Sequence, residues 1–131
     1  MERRKLTPRY TLNLAIHNAR KFSKVFIDVD FLMELWREQS GLCALSGIRM
    51  TWGQGGIKAT SISVDRIRHR EPYEPGNVRL VCYAVNAFRQ RMSDSEMIEM
   101  ARAIIANADR IHNNPEKFAH VMEADYERML M

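Results

Sequence analysis

Three oxygen-bearing side chains, Asp65, Asn77 and Asn86, stand twelve and nine residues apart within residues 64–91, VDRIRHREPYEPGNVRLVCYAVNAFRQR. Their types fit phosphate chemistry with a divalent ion. Mg²⁺ takes few protein ligands, keeps several waters and fills its shell from substrate phosphate. One Asp carboxylate and one Asn amide oxygen, from Asp65 and Asn86, meet that need. An ion held there polarises a scissile phosphate and stabilises the departing oxygen. Asn77 follows Gly76, and its amide can hydrogen-bond across the Pro-rich loop before it and fix the loop's shape. Each residue also has a plainer reading: Asp65 paired with Arg66 or Arg68, Asn77 as a turn residue, Asn86 bonded to neighbouring backbone.

The surrounding elements must bring these groups together. From Thr60 to Asp65 the chain alternates, with Ile62 and Val64 on one face and Ser61, Ser63 and Asp65 on the other, as a strand requires. A polar loop interrupted by Pro72, Pro75 and Gly76 follows, then a second strand over Val78–Val81 and a helix over Cys82–Met92. Strand, loop, strand and helix, with a carboxylate at one end and an amide at the other, make a small open metal site. Upstream, Leu12, Ile16, Ala19 and Phe22 give Pro8–Lys24 the inward stripe of an amphipathic helix whose exposed positions are basic. Val25–Val29 reads as a short strand, and Asp28 or Asp30 caps a helix from Phe31 to about Gln39 that stops at Gly41 and buries Leu32, Leu35 and Trp36. Residues 43–47 (CALSG) form a turn, Ile48–Trp52 a short strand, and Gly53-Gln54-Gly55-Gly56 a flexible loop. Ser93 and Glu96 form a capping box that opens a helix with a stripe of Met97, Ile98, Ala101, Ile104, Ile105 and Ala108. Asn114-Pro115 begins a last helix, with Phe118, Val121, Met122, Tyr126 and Met129 facing inward.

The chain has 131 residues, 46% hydrophobic and 27% charged, which fits one globular domain with a modest core. Neither a membrane-length apolar run nor a signal-peptide core is present in the sequence, so a cytoplasmic protein is expected. Cys43 and Cys82 are the only cysteines and neither sits in a CxxC pair, so no four-cysteine zinc is expected and two buried thiols are. The net charge of +4 is unevenly placed. Residues 1–24 carry seven Lys or Arg against one Glu, residues 61–92 carry six Arg against three acids, and residues 93–131 carry four bases against eight acids. The basic segments suit a phosphate backbone, with Arg68, Arg70, Arg79, Arg89 and Arg91 as the expected contacts. The acidic C-terminal part faces away, available to a second copy or a phage protein.

CALSG, then SVDRI, then PYEPGNVRLVCYAVN, within residues 26–100, resembles the phage and prophage HNH endonucleases, which carry a ββα-metal motif. The resemblance implies an α+β fold with a ββα-metal hairpin and helix core over residues 41–92, flanked by the N-terminal basic helix at 8–24 and C-terminal helices at 94–131. It implies a nuclease that cleaves or nicks DNA with one Mg²⁺ or Mn²⁺ ion. Asp65 corresponds to the first-strand metal ligand, Asn77 to the middle Asn, and Asn86 to the last position, where Asn replaces His as in some phage homing endonucleases and Holliday-junction resolvases. The residue after the Asp departs from the motif. A full HNH motif has a His there to deprotonate the attacking water, whereas Arg66 stays protonated and cannot. His69, four residues after Asp65, has the intrinsic pKa for a base, and Arg66 can hold the scissile phosphate. The alternative is a ββα DNA-binding module, impaired in catalysis, or a subunit of a phage packaging or recombination complex. His17, His112 and His120 fall in expected helices outside the motif.

Overall fold

A computed structural model describes residues 6–53 and 56–113, with side chains described to residue 110. The chain separates into two compact units, Met1–Arg91 and Met92–Met131. The first unit is α+β, in the order α1 (Pro8–Ala19), α2 (Val29–Glu38), β1 (Ile62–Arg66), β2 (Val78–Cys82) and α3 (Tyr83–Arg89). The second contains α4 (Asp94–Asn113).

Local chemistry starts and stops each helix. The Thr7 hydroxyl accepts from the Tyr10 amide at 3.1 Å and Pro8 opens α1, where its missing N–H has no cost. Leu12, Ile16 and Ala19 are buried as the spacing requires. Phe22 is not: α1 ends at Ala19, the next amides close tighter turns onto Asn18 and Ala19, and the ring is 77% exposed. Asp28 caps α2 by accepting from the Phe31 amide at 2.8 Å. Past α2, Gly41 has φ +71, and a Cβ there would lie 3.0 Å from the Trp36 ring, so the chain turns where only glycine fits. Trp36 meets Trp52 edge to face at 5.7 Å between centroids. In the second unit the capping box forms reciprocally: the Glu96 amide donates to Ser93 Oγ at 3.1 Å and the Ser93 amide to Glu96 Oε1 at 3.3 Å.

Among the described residues the sheet is one antiparallel hairpin in which Ile62 faces Cys82, Val64 faces Leu80, Asp65 faces Arg79 and Arg66 faces Val78. The short strands expected at 25–29 and 48–52 reduce to isolated bridges, Val25 to Tyr73, Leu42 to Arg49 and Thr51 to Ser61. Leu80 and Val81 are wholly buried and share a core with Leu12, Ile16, Leu32 and Met50. The outer edge of β2 is closed by a side chain. Gln39 donates to the Leu80 carbonyl at 2.8 Å and accepts from the Leu80 amide at 3.0 Å, while the Cys82 amide donates to Cys43 Sγ at 3.3 Å.

Both cysteines are free and buried. Burial pushes both thiols up; for Cys43, bonds from the Ser46 hydroxyl and the Cys82, Ser46 and Leu45 amides outweigh it and hold the thiol below its ordinary value. Cys82 stays raised, by burial first and by the neighbouring Cys43 charge second. The helix expected from Asn114 lies outside the described residues. Among the described residues no helix is long and apolar enough to cross a membrane.

Candidate functional site

The strand pleat sends Ser63 and Asp65 to the same face of β1, and α3 lies over that face. Asn86 and Arg89, three residues apart on α3, share the side of the helix that meets the strand. The result is a seam with two levels. At one, Asn86 Nδ2 donates to Ser63 Oγ at 2.7 Å. At the other, Arg89 Nη1 donates to Asp65 Oδ1 at 2.7 Å, and the same guanidinium reaches the carbonyls of Arg66 at 2.8 Å and Ile67 at 2.6 Å. Arg79, directly across the hairpin, donates from Nε to Asp65 Oδ2 at 2.9 Å.

Asp65 is 3% exposed, and each of its carboxylate oxygens accepts from a guanidinium. Arg89 is equally buried, which corrects its expected place among the DNA contacts: its fork is turned inward, joining α3 to the end of β1. Arg79 also turns toward Asp65, with a side chain 15% exposed. Of the expected basic contacts, Arg70 and Arg91 are exposed, and Arg68 is half open and paired with Glu71 at 2.6 Å. The sequence carried signs of both pairings, since Arg79 is the cross-strand neighbour of Asp65 in any hairpin of this register and Arg89 follows Asn86 by one helical turn. Ser63, the anchor of Asn86, was also missed as a site residue.

Asn77 is completely buried and its amide organises the loop. Its Oδ1 accepts from the Arg68 amide at 2.8 Å, and its Nδ2 donates to the carbonyls of Pro72 at 2.9 Å and Arg68 at 3.1 Å. Arg66, next to Asp65, projects over the Tyr73 ring at 4.8 Å and donates to the Glu71 carbonyl at 3.3 Å, so its guanidinium is held on the loop side of the hairpin. His69 is half-buried in the same loop, and among the described residues no hydrogen bond or ion pair joins it to Asp65 or Asn86.

Against the demands of a divalent ion, the two expected ligands differ. Asn86 fits: Ser63 fixes its amide nitrogen, and its Oδ1 accepts no hydrogen bond among the described residues. Asp65 as bonded does not fit, because two guanidiniums occupy its oxygens and surround it with positive charge. Among the described residues no group of three His, Cys, Asp or Glu side chains is placed to hold a metal. Beside the Asn86 level a cleft of 560 Å³ opens between α1 and β1, lined by Ser63, Val64, Tyr73, Tyr83 and Asn86 together with residues of α1.

Neither a family model nor a curated protein matches the chain. A solved structure does: the rare-cutting HNH restriction endonuclease PacI, studied for its mechanism of DNA perturbation, aligns with TM-score 0.55 and 26% identity over 72% of this chain and 74% of its own. The strand, loop, strand and helix built around Asp65, Asn77 and Asn86 is thus an HNH-type nuclease fold.

Proposed function

We propose that the chain is a divalent-metal-dependent DNA endonuclease or nickase of phage or prophage type, acting in the cytoplasm on phosphodiester bonds laid against the β1–α3 seam. The observation that carries this reading is Asn86: a side chain fixed by Ser63, with its amide oxygen uncommitted, at the wall of an open cleft in a fold shared with an HNH endonuclease. In the reaction a water oxygen bonds to phosphorus and the bond from phosphorus to the leaving oxygen breaks. A bound ion would supply Lewis-acid stabilisation of the phosphate, with Asn86 Oδ1 as its protein ligand and Asp65 joining only if a guanidinium lets go. Arg66, steadied on Tyr73, sets a fixed positive charge against the negative charge that builds on the phosphate. His69 takes the proton of the attacking water. Asn77 acts as a positioning residue, holding the loop that carries Arg66 and His69.

Nicking of supercoiled plasmid with Mg²⁺, Mn²⁺ or EDTA tests this. The expected result is cleavage with either ion, none in EDTA, and loss of cleavage in Asn86→Ala and His69→Ala. Full activity in EDTA would remove the metal, and full activity in Asn86→Ala would remove the site.

A second reading is favoured by one observation, the closure of Asp65 by Arg79 and Arg89. It is a DNA-binding module that keeps the ββα shape with turnover impaired, and it predicts salt-sensitive DNA binding without cleavage under every metal and pH. Arg66→His separates the two: a gain of cleavage shows that only the base was missing. We also propose that α4 receives a second copy or a phage protein through Ile98, Ile104 and Ile105, which are 44%, 50% and 74% exposed. A monomeric mass by light scattering, unchanged in Ile105→Glu and with no phage protein co-purifying, would end that proposal.

A further inference from the structure

The cleft beside Asn86 is walled by aromatic rings open to solvent. Tyr10 on α1, Phe22 just beyond it and Tyr83 at the start of α3 are 37%, 77% and 47% exposed, and all three line the same cavity. A soluble protein seldom leaves rings of this size grouped in the open without a ligand to cover them. The volume of 560 Å³ lies in the range of small-molecule sites. No charged side chain, acidic or basic, is among the described residues of its lining; Arg20, Lys21, Lys24 and Lys58 are exposed within two positions in sequence of the lining residues Ala19, Phe22 and Ile57. Aromatic faces in an uncharged cleft, with basic side chains exposed on the adjoining stretches of chain, are complementary to a nucleobase on its phosphate backbone. Stacking uses the π-face and lysines take the phosphates. Ser63 lines the cleft too, and its hydroxyl, which accepts from Asn86, keeps its own proton to donate to a base edge. A base within a paired duplex presents no free π-face, so the complement is an unpaired one.

We propose that this cleft takes an unpaired nucleobase, and that the preferred substrate is DNA with a bulged, extruded or single-stranded nucleotide beside the bond to be cut. The proposal rests on the DNA-cleaving function and narrows its substrate. Phe22 is the most informative position, because its exposure leaves the fold little to lose on replacement.

Fluorescence anisotropy in EDTA, where no cleavage occurs, tests the proposal with three labelled probes: a paired duplex, the same duplex with one extra nucleotide, and one of its single strands. The bulged duplex and the single strand should bind about tenfold more tightly than the paired duplex, as one added stacking contact provides. Phe22→Ala and Tyr83→Ala should each erase most of that margin, and Phe22→Tyr should keep it. Preference for the bulge alone identifies an extruded base, and preference for both identifies any free strand. Equal affinity for all three probes, or a margin untouched by Phe22→Ala, overturns the cleft assignment and leaves the endonuclease standing. Absence of binding to every probe overturns both.

Discussion

The two levels of the β1–α3 seam are two residues apart on the strand and three on the helix, yet they are built in opposite ways. Around Asp65 every surface is closed: Arg89 and the carboxylate are both about 4% exposed at the side chain, Arg79 seals the far oxygen, and the guanidinium of Arg89 also ties down two carbonyls of the strand end. Around Asn86 a short hydrogen bond to Ser63 and a long one, 3.5 Å, to the Val64 carbonyl set the side chain, and the other face opens to a cleft. The closed level does the holding that lets the open level be spare. A short helix of seven residues, α3, would not stay registered on a two-stranded hairpin by propensity alone, and the buried Arg89–Asp65 pair, with the two carbonyl bonds of the same guanidinium, pins it there.

The comparison breaks most severely at Arg89. Arg89→Ala leaves Asp65 buried with one partner, and the expected loss is about 3–5 kcal/mol by urea denaturation. Arg89→Lys should recover little, because an ammonium cannot reach the carboxylate and two carbonyls in a fork. A change below about 1 kcal/mol would show that the closed level is not what secures α3. At the open level the signature reverses: Asn86→Ala should slow plasmid nicking by about 10²-fold, the scale of one lost preorganised contact at a reacting phosphate, with unfolding almost unmoved. Asn77→Ala lies between, since it strands buried carbonyls and an amide in the loop; the expected cost is about 1–3 kcal/mol, with a loop more open to limited proteolysis. The smallest effect is Ser63→Ala, which leaves the Asn86 amide held only by its 3.5 Å bond to the Val64 carbonyl. Nicking should fall by about tenfold while stability moves by less than about 1 kcal/mol. Equal losses of stability at Asn86 and Arg89 would erase the distinction between the levels.

Much of the scaffold was legible in the sequence because it is written in local chemistry. Alternation from Thr60 to Asp65, the Pro and Gly breaks of the loop, the Asp28 cap and the Ser93–Glu96 box each depend on neighbours a few residues apart. The amide of Asn77 lay in the same category, since every partner it has is within nine residues. The partners of Asp65 were not local. Arginines default to the surface, and only the meeting of β1, β2 and α3 shows that two of them are drawn inward by one carboxylate. Phe22 misled for a related reason: its spacing continues the stripe of α1, but the helix ends one turn before it and the ring falls on the outside. Likewise α3 stops at Arg89, three residues short of the expected end, where Gln90 takes a φ of +46.

Gln39 has a bearing on how the molecule behaves in a crowd. By answering both polar groups of Leu80 with its own amide, it imitates the neighbour a β-strand would otherwise recruit, and with Cys43 Sγ on the Cys82 amide little of that flank is left to be copied by another chain. Molecules meeting at high concentration therefore find few free ladder groups on that side, because Gln39, Cys43 and the Ala44 amide are already bonded to β2.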